Sequence, residues 1–510
     1  MRIEDEKGQA LPLALVALAM GALVVTPFLT HVSTGLTGSR IYGLAIMGQY
    51  SCDAGVEHAM WDLTNGGLAE QLPDVGDSVT YQLGETINGA TTSITVAVDE
   101  VGGEVFGGIV DEIIDTLEFD TSNGFEPDIV HVLGDTYAMA YRGPGNDGFL
   151  KTVEIATDGQ ITDTVIDTLE FDTSNGFEPD IVHISDSTYA IAYCGPGNDG
   201  FLKTVGIAAD GQITDTVIDT LEFDTSNGYE PDIVHISGSI CGIVYRGTRN
   251  DGFLKTVEIA ANGQITDTVV DTLEFDTSNG YEPDIVYVSG DTYVIAYRGP
   301  GNDGFLKTVG IAANGQITDT VIDTLEYDTS YGYEPDIVYV SGDTYAIAYH
   351  GSSSDGFLKT VEIAANGQIT DTVIDTLEYD TSDGYEPDIV HIFDSFYVIA
   401  YRGTNNDGFL KTVEIAADGQ ITDTVIDTLE FDTSDGYEPN MVHISGGTCA
   451  IAYRGPGNDG FLKTVKISAS DTSFTTYTID STTGESTTGA EVRIEGDSDS
   501  VTVLSWVIER

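Results

Sequence analysis

Acidic side chains recur at four positions along most of the chain, in a setting that suits calcium chemistry. In the first copy they lie in or beside the segments FDTSNGFEPD and GPGNDGF. Loops rich in carboxylates, Asn and Gly supply the hard oxygen ligands that Ca²⁺ takes in sets of about 6–8. The same residue types are ordinary turn formers, so turn structure without a metal is an alternative. The calcium candidates are Asp120, Glu126, Asp128 and Asp147, with the copies of the first at Asp172, Asp224, Asp276, Asp328, Asp380 and Asp432.

Aromatic and arginine side chains recur in the same segments. Aromatic rings stack on sugars, while Arg and Asn make bidentate polar contacts, so their convergence predicts a glycan-binding face. The alternative is structural: the arginines pair with the abundant carboxylates, and the aromatic rings pack between repeats. The glycan candidates are Phe125, Arg142, Asn146, Tyr229, Tyr281, Arg298, Tyr333, Tyr385, Arg402 and Tyr437.

Histidine or tyrosine occupies one further position in every repeat, and five of the 8 histidines fall in this register. Replacement by tyrosine favours a hydrogen-bonding, space-filling role between repeats. A pH-sensitive cluster and a ligand or metal contact are the alternatives. The ring consists of His131, His183, His235, Tyr287, Tyr339, His391 and His443.

The repeats argue against an enzyme. Catalysis needs an asymmetric constellation in which an acid and a base have different environments. Near-identical repeats offer the same groups everywhere, and the sequence contains no nucleophile-elbow, zinc-protease, P-loop or dinucleotide-binding motif.

The elements that position these residues repeat every 52 residues, since the motif DTLE recurs at Asp115, Asp167, Asp219, Asp271, Asp323, Asp375 and Asp427. Four strand-like runs, here called A to D, are readable in the first unit: 128–132, 136–142, 149–156 and 161–171. A fixed period with several short strands is typical of a β-propeller. A D-type run at 112–119 precedes the first A run, and the last A–B–C set lacks its own. The predicted fold is therefore mainly β, a seven-bladed β-propeller, with an overlapping closure that resembles other propellers.

The flanks of the repeats predict a second domain. Strand-like runs occur at 66–104 and again at 472–510. We expect them to form one small antiparallel β head domain into which the propeller, 105–471, is inserted. The alternative is a separate C-terminal strap on the propeller.

The N-terminus predicts a membrane anchor. Ala10–Leu29 contains 20 uncharged residues, and a helix of that length spans about 30 Å, the thickness of the hydrocarbon core. A plain uncleaved signal anchor is one interpretation. A more specific one follows from Lys7-Gly8-Gln9-Ala10, which resembles the class III signal of type IV prepilins, cut between Gly8 and Gln9.

The segment Ser51–Met60 likewise resembles the helix of PilX-type minor pilins. The resemblance implies a leader at 1–8 and a transmembrane, pilin-like helix at 9–65. Major pilins carry Glu five residues after the cut, whereas this chain has Leu13. The resemblance therefore favours a minor or tip subunit, or a free anchored protein, over a filament-shaft subunit.

Composition narrows the class of function. The 84 acidic residues against 19 Lys and Arg give a net charge of −65, which argues against nucleic acid as a partner. The four cysteines show no metal-ligand spacing. We expect a single-pass cell-membrane protein with an extracellular propeller, with pilus or pseudopilus subunits as candidate partners. The propeller is predicted to be a multivalent adhesion head for a repetitive glycan or cell-envelope ligand. A non-binding spacer or pilus-tip scaffold is the alternative, and an enzyme with a substrate in the propeller channel is a further, less favoured one.

Overall fold

The computed structural model of the chain describes residues 40–63, 68, 71–72, 77–83, 86, 91–104, 107–110, 113–468, 472–483, 486–497 and 500–509. They divide into two compact units, one formed within 1–103 and 472–510, the other within 104–471. The proposed leader, its Gly8–Gln9 cleavage site and the Ala10–Leu29 span lie outside the described residues. Among the described helices, none is long and apolar enough to cross a bilayer.

The second unit contains, within its described residues, seven antiparallel sheets of four strands each in the order A-B-C-D. Sheet 1 is β4 (Phe125–Leu133), β5 (Thr136–Arg142), β6 (Gly148–Glu154) and β7 (Asp167–Asp172). Sheet 2 is β8 (Phe177–Ser185), β9 (Thr188–Cys194), β10 (Gly200–Gly206) and β11 (Asp219–Asp224). Sheet 3 is β12 (Tyr229–Ser237), β13 (Ile240–Arg246), β14 (Gly252–Glu258) and β15 (Asp271–Asp276). Sheet 4 is β16 (Tyr281–Ser289), β17 (Thr292–Arg298), β18 (Gly304–Gly310) and β19 (Asp323–Asp328).

The remaining sheets follow the same plan. Sheet 5 is β20 (Tyr333–Ser341), β21 (Thr344–His350), β22 (Gly356–Glu362) and β23 (Asp375–Asp380). Sheet 6 is β24 (Tyr385–Phe393), β25 (Phe396–Arg402), β26 (Gly408–Glu414) and β27 (Asp427–Asp432). Sheet 7 is β28 (Tyr437–Ser445), β29 (Thr448–Arg454), β30 (Gly460–Lys466) and, from the start of the repeats, β3 (Asp115–Asp120). The prediction of a mainly β fold made of repeated four-stranded units is confirmed.

The sheets follow one another in a closed cycle. The A strand of each sheet contacts the A strand of the next, and the A strand of sheet 7 contacts that of sheet 1. Sheet 7 is completed by β3, in which Asp115 pairs with Thr464 and Leu117 with Leu462. The first and last parts of the unit are thus joined by main-chain hydrogen bonds, which close the cycle without a covalent link.

The strand boundaries differ from those predicted in two places. Strand D begins at Asp167 rather than Ile161, because a turn with Gly159 at φ +89° allows Ile161 only a single bridge to Ile155. Strand A begins at Phe125 and includes Glu126 at φ +50° and Pro127. Proline cannot donate a ladder hydrogen bond and is confined to edges and bulges, which agrees with the register shift between Phe125 and Asp128.

Strand B forms the core of each sheet because it is buried on both faces. In sheet 1 its small residues, Ala138 and Ala140, pack against Tyr189 and Ile191 of sheet 2. The small side chains on one face accommodate the large ones of the next sheet. A strand covered on both sides reads as a continuous apolar run, as TYAMAYR does.

Strand D carries one buried aromatic residue, and two copies of it have an unsatisfied hydroxyl. The hydroxyls of Tyr327 and Tyr379 have no hydrogen-bond partner among the described residues. The equivalent residue is Phe in the other sheets, as at Phe431. A buried polar group without a partner costs about 1–3 kcal/mol.

We expect Tyr379→Phe to raise the free energy of unfolding by about 1 kcal/mol, measured by thermal or denaturant unfolding. The reciprocal change, Phe431→Tyr, should lower it, and a gain from both would contradict the interpretation.

The first unit combines a helix with a five-stranded sheet. Its elements are α1 (Arg40–Trp61), β1 (Ser78–Gln82), β2 (Ser93–Glu104), β31 (Thr472–Thr483), β32 (Ser486–Asp497) and β33 (Ser500–Glu509). The sheet order is β1-β2-β31-β32-β33, so strands from before and after the repeats lie side by side. Val56 and Met60 of α1 pack on Ile94, Val96 and Ile479 of the sheet.

Candidate functional site

The predicted site residues occupy two ends of strand A. At one end lies the D–A loop that joins strand D of sheet 1 to strand A of sheet 2. In this loop the N–H of Gly176 donates to the carbonyl of Asn146, in the B–C loop of sheet 1, at 2.8 Å. We call this end the loop face; it comprises 120–126 and 142–147 and their repeats. The other end carries the A–B hairpins, 131–136 and their repeats, and is called the hairpin face. The prediction that the D–A and B–C loops emerge together is therefore confirmed.

On the loop face, Asp120 and its six copies, here called the Asp120 ring, are each paired with a lysine. Asp120 Oδ2 accepts hydrogen bonds from Lys151 Nζ at 2.8 Å and from Tyr141 at 2.7 Å, while Oδ1 accepts from the N–H of Ser122. Lys151 Nζ also donates to the carbonyl of Phe119. The lysine–aspartate pair recurs in every sheet, at Lys203–Asp172, Lys255–Asp224, Lys307–Asp276, Lys359–Asp328, Lys411–Asp380 and Lys463–Asp432. An ammonium group thus stands where the sequence predicted calcium.

These contacts set the charge state of the aspartates. Burial alone would raise the pKa of Asp120, but the hydrogen bonds from Lys151 and Tyr141 and the lysine charge bring that pKa below its ordinary value. The pKa of Asp380 is lowered in the same way by Lys411 and Tyr401. The aspartates are therefore carboxylates paired with buried cations, and their oxygens have no free coordination position on this side.

The second candidate position, Glu126, forms a chain that runs around the whole cycle. The N–H of Glu178 donates to Glu126 Oε2 at 2.8 Å, and the N–H of Glu126 donates to Glu438 Oε2 at 2.8 Å. The same bond links each intervening pair, which closes a ring of Glu126, Glu178, Glu230, Glu282, Glu334, Glu386 and Glu438. The positive φ of these glutamates turns the N–H towards the neighbouring carboxylate.

The arginines stack between the aromatic residues that were predicted to bind glycan. Arg142 Cζ lies 4.3 Å from the ring centroid of Phe125 and 4.8 Å from that of Phe177 in the next sheet. Its Nε and Nη2 donate to both oxygens of Glu126, and Nη1 donates to Asn146. The arrangement recurs at Arg246, Arg298, Arg402 and Arg454. The glycan candidates Tyr229, Tyr281, Tyr333, Tyr385 and Tyr437 are thus partners of these cations within the protein.

The third position, Asp128, forms another ring one step further along strand A. Asp128 Oδ2 accepts from the N–H of Ile181 at 2.7 Å, and Asn440 closes the ring by accepting from Ile129 at 3.0 Å. Burial raises the pKa of Asp128 well above its ordinary value, and the neighbouring Asp180 raises it further. The pKa values of Asp232, Asp284 and Asp388 are raised for the same reasons. The raised pKa values of Asp128, Asp232, Asp284 and Asp388 favour the protonated form of these four carboxyls.

The fourth position, Asp147, lies in the B–C turn, where its N–H bonds Pro144 O and its carbonyl accepts from Gly143. The four calcium candidates of one repeat therefore belong to four different environments. Within the described ranges, no group of three or more His, Cys, Asp or Glu side chains is placed to hold a metal ion. Calcium binding stays a prediction.

The histidine and tyrosine ring lies on the hairpin face, where five members are exposed and His235 and His443 are half-buried. The side chains of Tyr287 and Tyr339 are 52% and 51% exposed. Each histidine bonds the main chain of its own hairpin, as His131 Nε2 does with Gly134 O at 2.9 Å, and Tyr287 accepts from the N–H of Gly290. The expected hydrogen bonding is thus observed, but within each hairpin; a space-filling role in the channel or between repeats stays a prediction. The register position is close to the hairpin, where strand A leaves the packed interior.

A cleft opens between two of these ring members. It has a volume of about 420 Å³ and is lined by His235, Ser237, Tyr287, Asp291 and Tyr293, with Ile236 and Ile311 at its base. Sequence reasoning located the ring but missed its exposure. Alternation along strand A does not reveal it, because His131 lies two residues beyond the buried Ile129, on the same side of the strand, and is nevertheless exposed.

Comparisons with known proteins show no relative by sequence: no family model and no curated protein matches the chain. Solved structures that resemble it include a candidate 6-phosphogluconolactonase from Bacteroides uniformis, 10% identical, covering 74% of this chain and all of that one with a TM-score of 0.46. They also include a protein of unknown function from Dyadobacter fermentans, 9% identical, covering 71% and 100% with a TM-score of 0.41. A third is an ulvan lyase of polysaccharide lyase family PL25, 10% identical, covering 71% and 96% with a TM-score of 0.42.

Proposed function

We propose that the seven sheets form a seven-bladed β-propeller that serves as a multivalent binding head, and that its ligand lies on the hairpin face. The ring of five histidines and two tyrosines in one register, exposed at five of its seven positions, carries this proposal. Seven equivalent weak sites give high avidity towards a repetitive ligand without any strong single site.

The hairpin face has the chemistry for sugars. An exposed tyrosine ring offers an apolar face to a pyranose, and the histidine, serine and aspartate beside it offer hydrogen bonds. The cleft at His235 and Tyr287 combines all of these groups. A polysaccharide of the cell envelope is therefore the preferred ligand class. The loop face is the weaker candidate, since its arginines and aromatic rings already contact one another.

The cellular location of the protein is also part of the proposal. The uncharged Ala10–Leu29 segment and the prepilin-like Gly8–Gln9 junction support export and anchoring in the cell membrane. The pilin-like segment supports association with pilus or pseudopilus subunits. Mass spectrometry of the protein isolated from its native membrane tests the cleavage: a mature chain beginning at Gln9 supports it, and an intact Met1 contradicts it.

Removing the two tyrosines of the ring tests the binding head. We expect Tyr287→Ala with Tyr339→Ala to weaken the binding of full-length protein to immobilised cell-envelope glycan about tenfold, because avidity multiplies small losses at individual sites. A glycan array followed by surface plasmon resonance measures it. The matched control is Tyr331→Ala, which removes a 43% exposed tyrosine from the loop face and should leave binding unchanged. Equal loss in both variants, or no glycan binding by the wild type, would contradict the proposal.

A structural spacer is the second candidate. The closed network of ion pairs and shared hydrogen bonds on the loop face favours it, because that face satisfies its own charges. This function predicts that cells carrying the two tyrosine substitutions adhere as wild-type cells do.

A further inference from the structure

Five sheets hold an arginine between two aromatic rings of the loop face, and in sheet 2 this cation is missing. The last residue of strand B is Arg in five sheets, His350 in sheet 5 and Cys194 in sheet 2. A cysteine side chain ends at Sγ, in the place of an arginine Cγ. The Cys194 side chain is itself buried and does not extend between the neighbouring aromatic rings as the arginine side chains do.

The aromatic residues on either side of this space keep their usual positions. Phe177 pairs with Cys194 in the register in which Phe125 pairs with Arg142. On its far side, Phe177 lies 4.8 Å from Arg142 Cζ, and the corresponding distance from Arg402 Cζ to Tyr437 is 4.9 Å. Arg246 Cζ lies 4.4 Å from the Tyr229 ring on the other side, against 4.3 Å for Arg402 and Tyr385. The two rings that would sandwich a cation are thus in place.

The polar partners of a guanidinium group are also in place. Glu178 has φ +49° and keeps both links of its ring, donating to Glu126 Oε2 and accepting from the N–H of Glu230 at 2.7 Å. In sheet 1 the equivalent glutamate receives two hydrogen bonds from Arg142; sheet 2 has no arginine to make them. Asn198 corresponds to Asn146, which accepts from Arg142 Nη1 at 3.4 Å. Burial, together with the charges of Glu230 and Glu126, raises the pKa of Glu178 to about 8.

We propose that this position is a binding site for a guanidinium group from outside the chain. The group lies between the rings of Phe177 and Tyr229 and donates hydrogen bonds to Glu178 and Asn198. Guanidinium suits the site better than ammonium, because it is planar, stacks on aromatic faces and donates to a carboxylate through two parallel bonds. Methylguanidinium is the probe, because it is the smallest alkylated analogue of the arginine side chain.

Sheet 5 does not offer a second site. The imidazole of His350 lies 4.3 Å from the Tyr385 ring and 5.3 Å from the Tyr333 ring, measured between centroids. The side chain itself therefore occupies the space between the aromatic residues. One guanidinium group per chain is expected.

Isothermal titration of the full-length protein with methylguanidinium tests this inference. We expect saturable binding of one equivalent, and binding of methylammonium weaker by at least about tenfold. Cys194→Arg fills the site from within and should abolish binding. Arg142→Cys should create a second site, so that two equivalents bind; Arg298→Cys is the alternative if the first variant does not fold, as judged by circular dichroism.

The source of the group is distinguished by a second probe, N-acetylarginine amide. Binding of both probes identifies an arginine side chain as an acceptable ligand, and binding of methylguanidinium alone identifies a free small cation. The inference is overturned if the wild type shows no saturable binding, or if Cys194→Arg binds methylguanidinium as the wild type does. Because the site is on the loop face, its failure would leave the hairpin-face proposal untouched.

Discussion

Raising the pH from about 4.5 to about 8 should lower the free energy of unfolding of the repeat unit, the reverse of the usual behaviour of a protein stabilised by carboxylates. Burial and neighbouring carboxylates raise the pKa of Glu178 and of Glu334 to about 8, and that of Glu438 to about 7, from an ordinary value of 4.5. Glu178 and Glu334 belong to the two sheets in which Cys194 and His350 replace the arginine. We expect a fall of about 3 kcal/mol, allowing for partial solvent access.

The sign follows from proton binding. Between about pH 4.5 and 8 the folded state holds protons on these glutamates that the unfolded state has released, so each increase in pH favours unfolding. This stabilisation is complete below about pH 4.5 and is lost as the pH rises through the folded pKa values. The Asp120 ring acts in the opposite sense: its pKa values are lowered from 3.8, so its contribution is lost as the pH falls below about 3.8. Stability should therefore be greatest at about pH 4–5.

Thermal unfolding across this pH range measures the effect. Glu178→Gln removes one titrating group of the ring and should flatten the profile, while Glu222→Gln, which alters an exposed glutamate of the same sheet, should leave its shape unchanged. Cys194→Arg should also flatten it, because an arginine stabilises the ionised form of Glu178. A wild-type profile that rises between about pH 5 and 8 would contradict the protonated ring.

Lys411→Met should destabilise the repeat unit strongly, by about 3–5 kcal/mol at neutral pH. The side chain of Lys411 is buried, and its Nζ pairs with Asp380 Oδ2 at 2.7 Å and bonds the carbonyl of Tyr379. Methionine fills much of the same volume but leaves the buried carboxylate with only neutral donors, Tyr401 and the N–H groups of the D–A turn. Denaturant unfolding measures the loss.

Two further variants separate the lost charge from the lost packing. Adding Asp380→Asn to Lys411→Met removes the unpaired charge and should recover most of the stability. The matched control, Lys466→Met, changes an exposed lysine at the end of strand C and should shift stability by less than about 0.5 kcal/mol. If Lys411→Met and Lys466→Met have the same effect, the buried pair does not stabilise the fold as inferred.

Much of the architecture can be read from the sequence because the repeat is long and nearly identical. The recurrence of DTLE indicates the units, and alternating apolar residues with turn signals indicate their four strands. The count of D-type runs, with one before the first A strand, predicts the pairing of β3 with β30. These features are local or periodic, so a single sequence records them.

The roles of the charged residues could not be predicted in the same way. Asp120 and Glu126 have the composition of a calcium loop, but Lys151 and Arg142 reach them from strands C and B. The aromatic residues of the loop face meet the arginines of two different sheets. The histidine and tyrosine ring was assigned to the interior because its members are flanked by apolar residues, yet it lies where strand A emerges at the hairpin. The ion pairs and stacking contacts join different strands or sheets, so spacing alone does not specify them.

The sequence by itself determined the acidic composition, the period, the strand content and the order in which the sheets close. Tertiary structure decided which carboxylates hold a cation, which have a raised pKa and which positions of the histidine and tyrosine ring are exposed. The physical reason is that the charge state of a carboxyl depends on burial and on partners from neighbouring sheets, as Asp120 with Lys151 and Glu178 without an arginine demonstrate. A change from arginine to cysteine is one residue in the sequence, but between Phe177 and Tyr229 it removes the guanidinium group that five other sheets hold in their stacks.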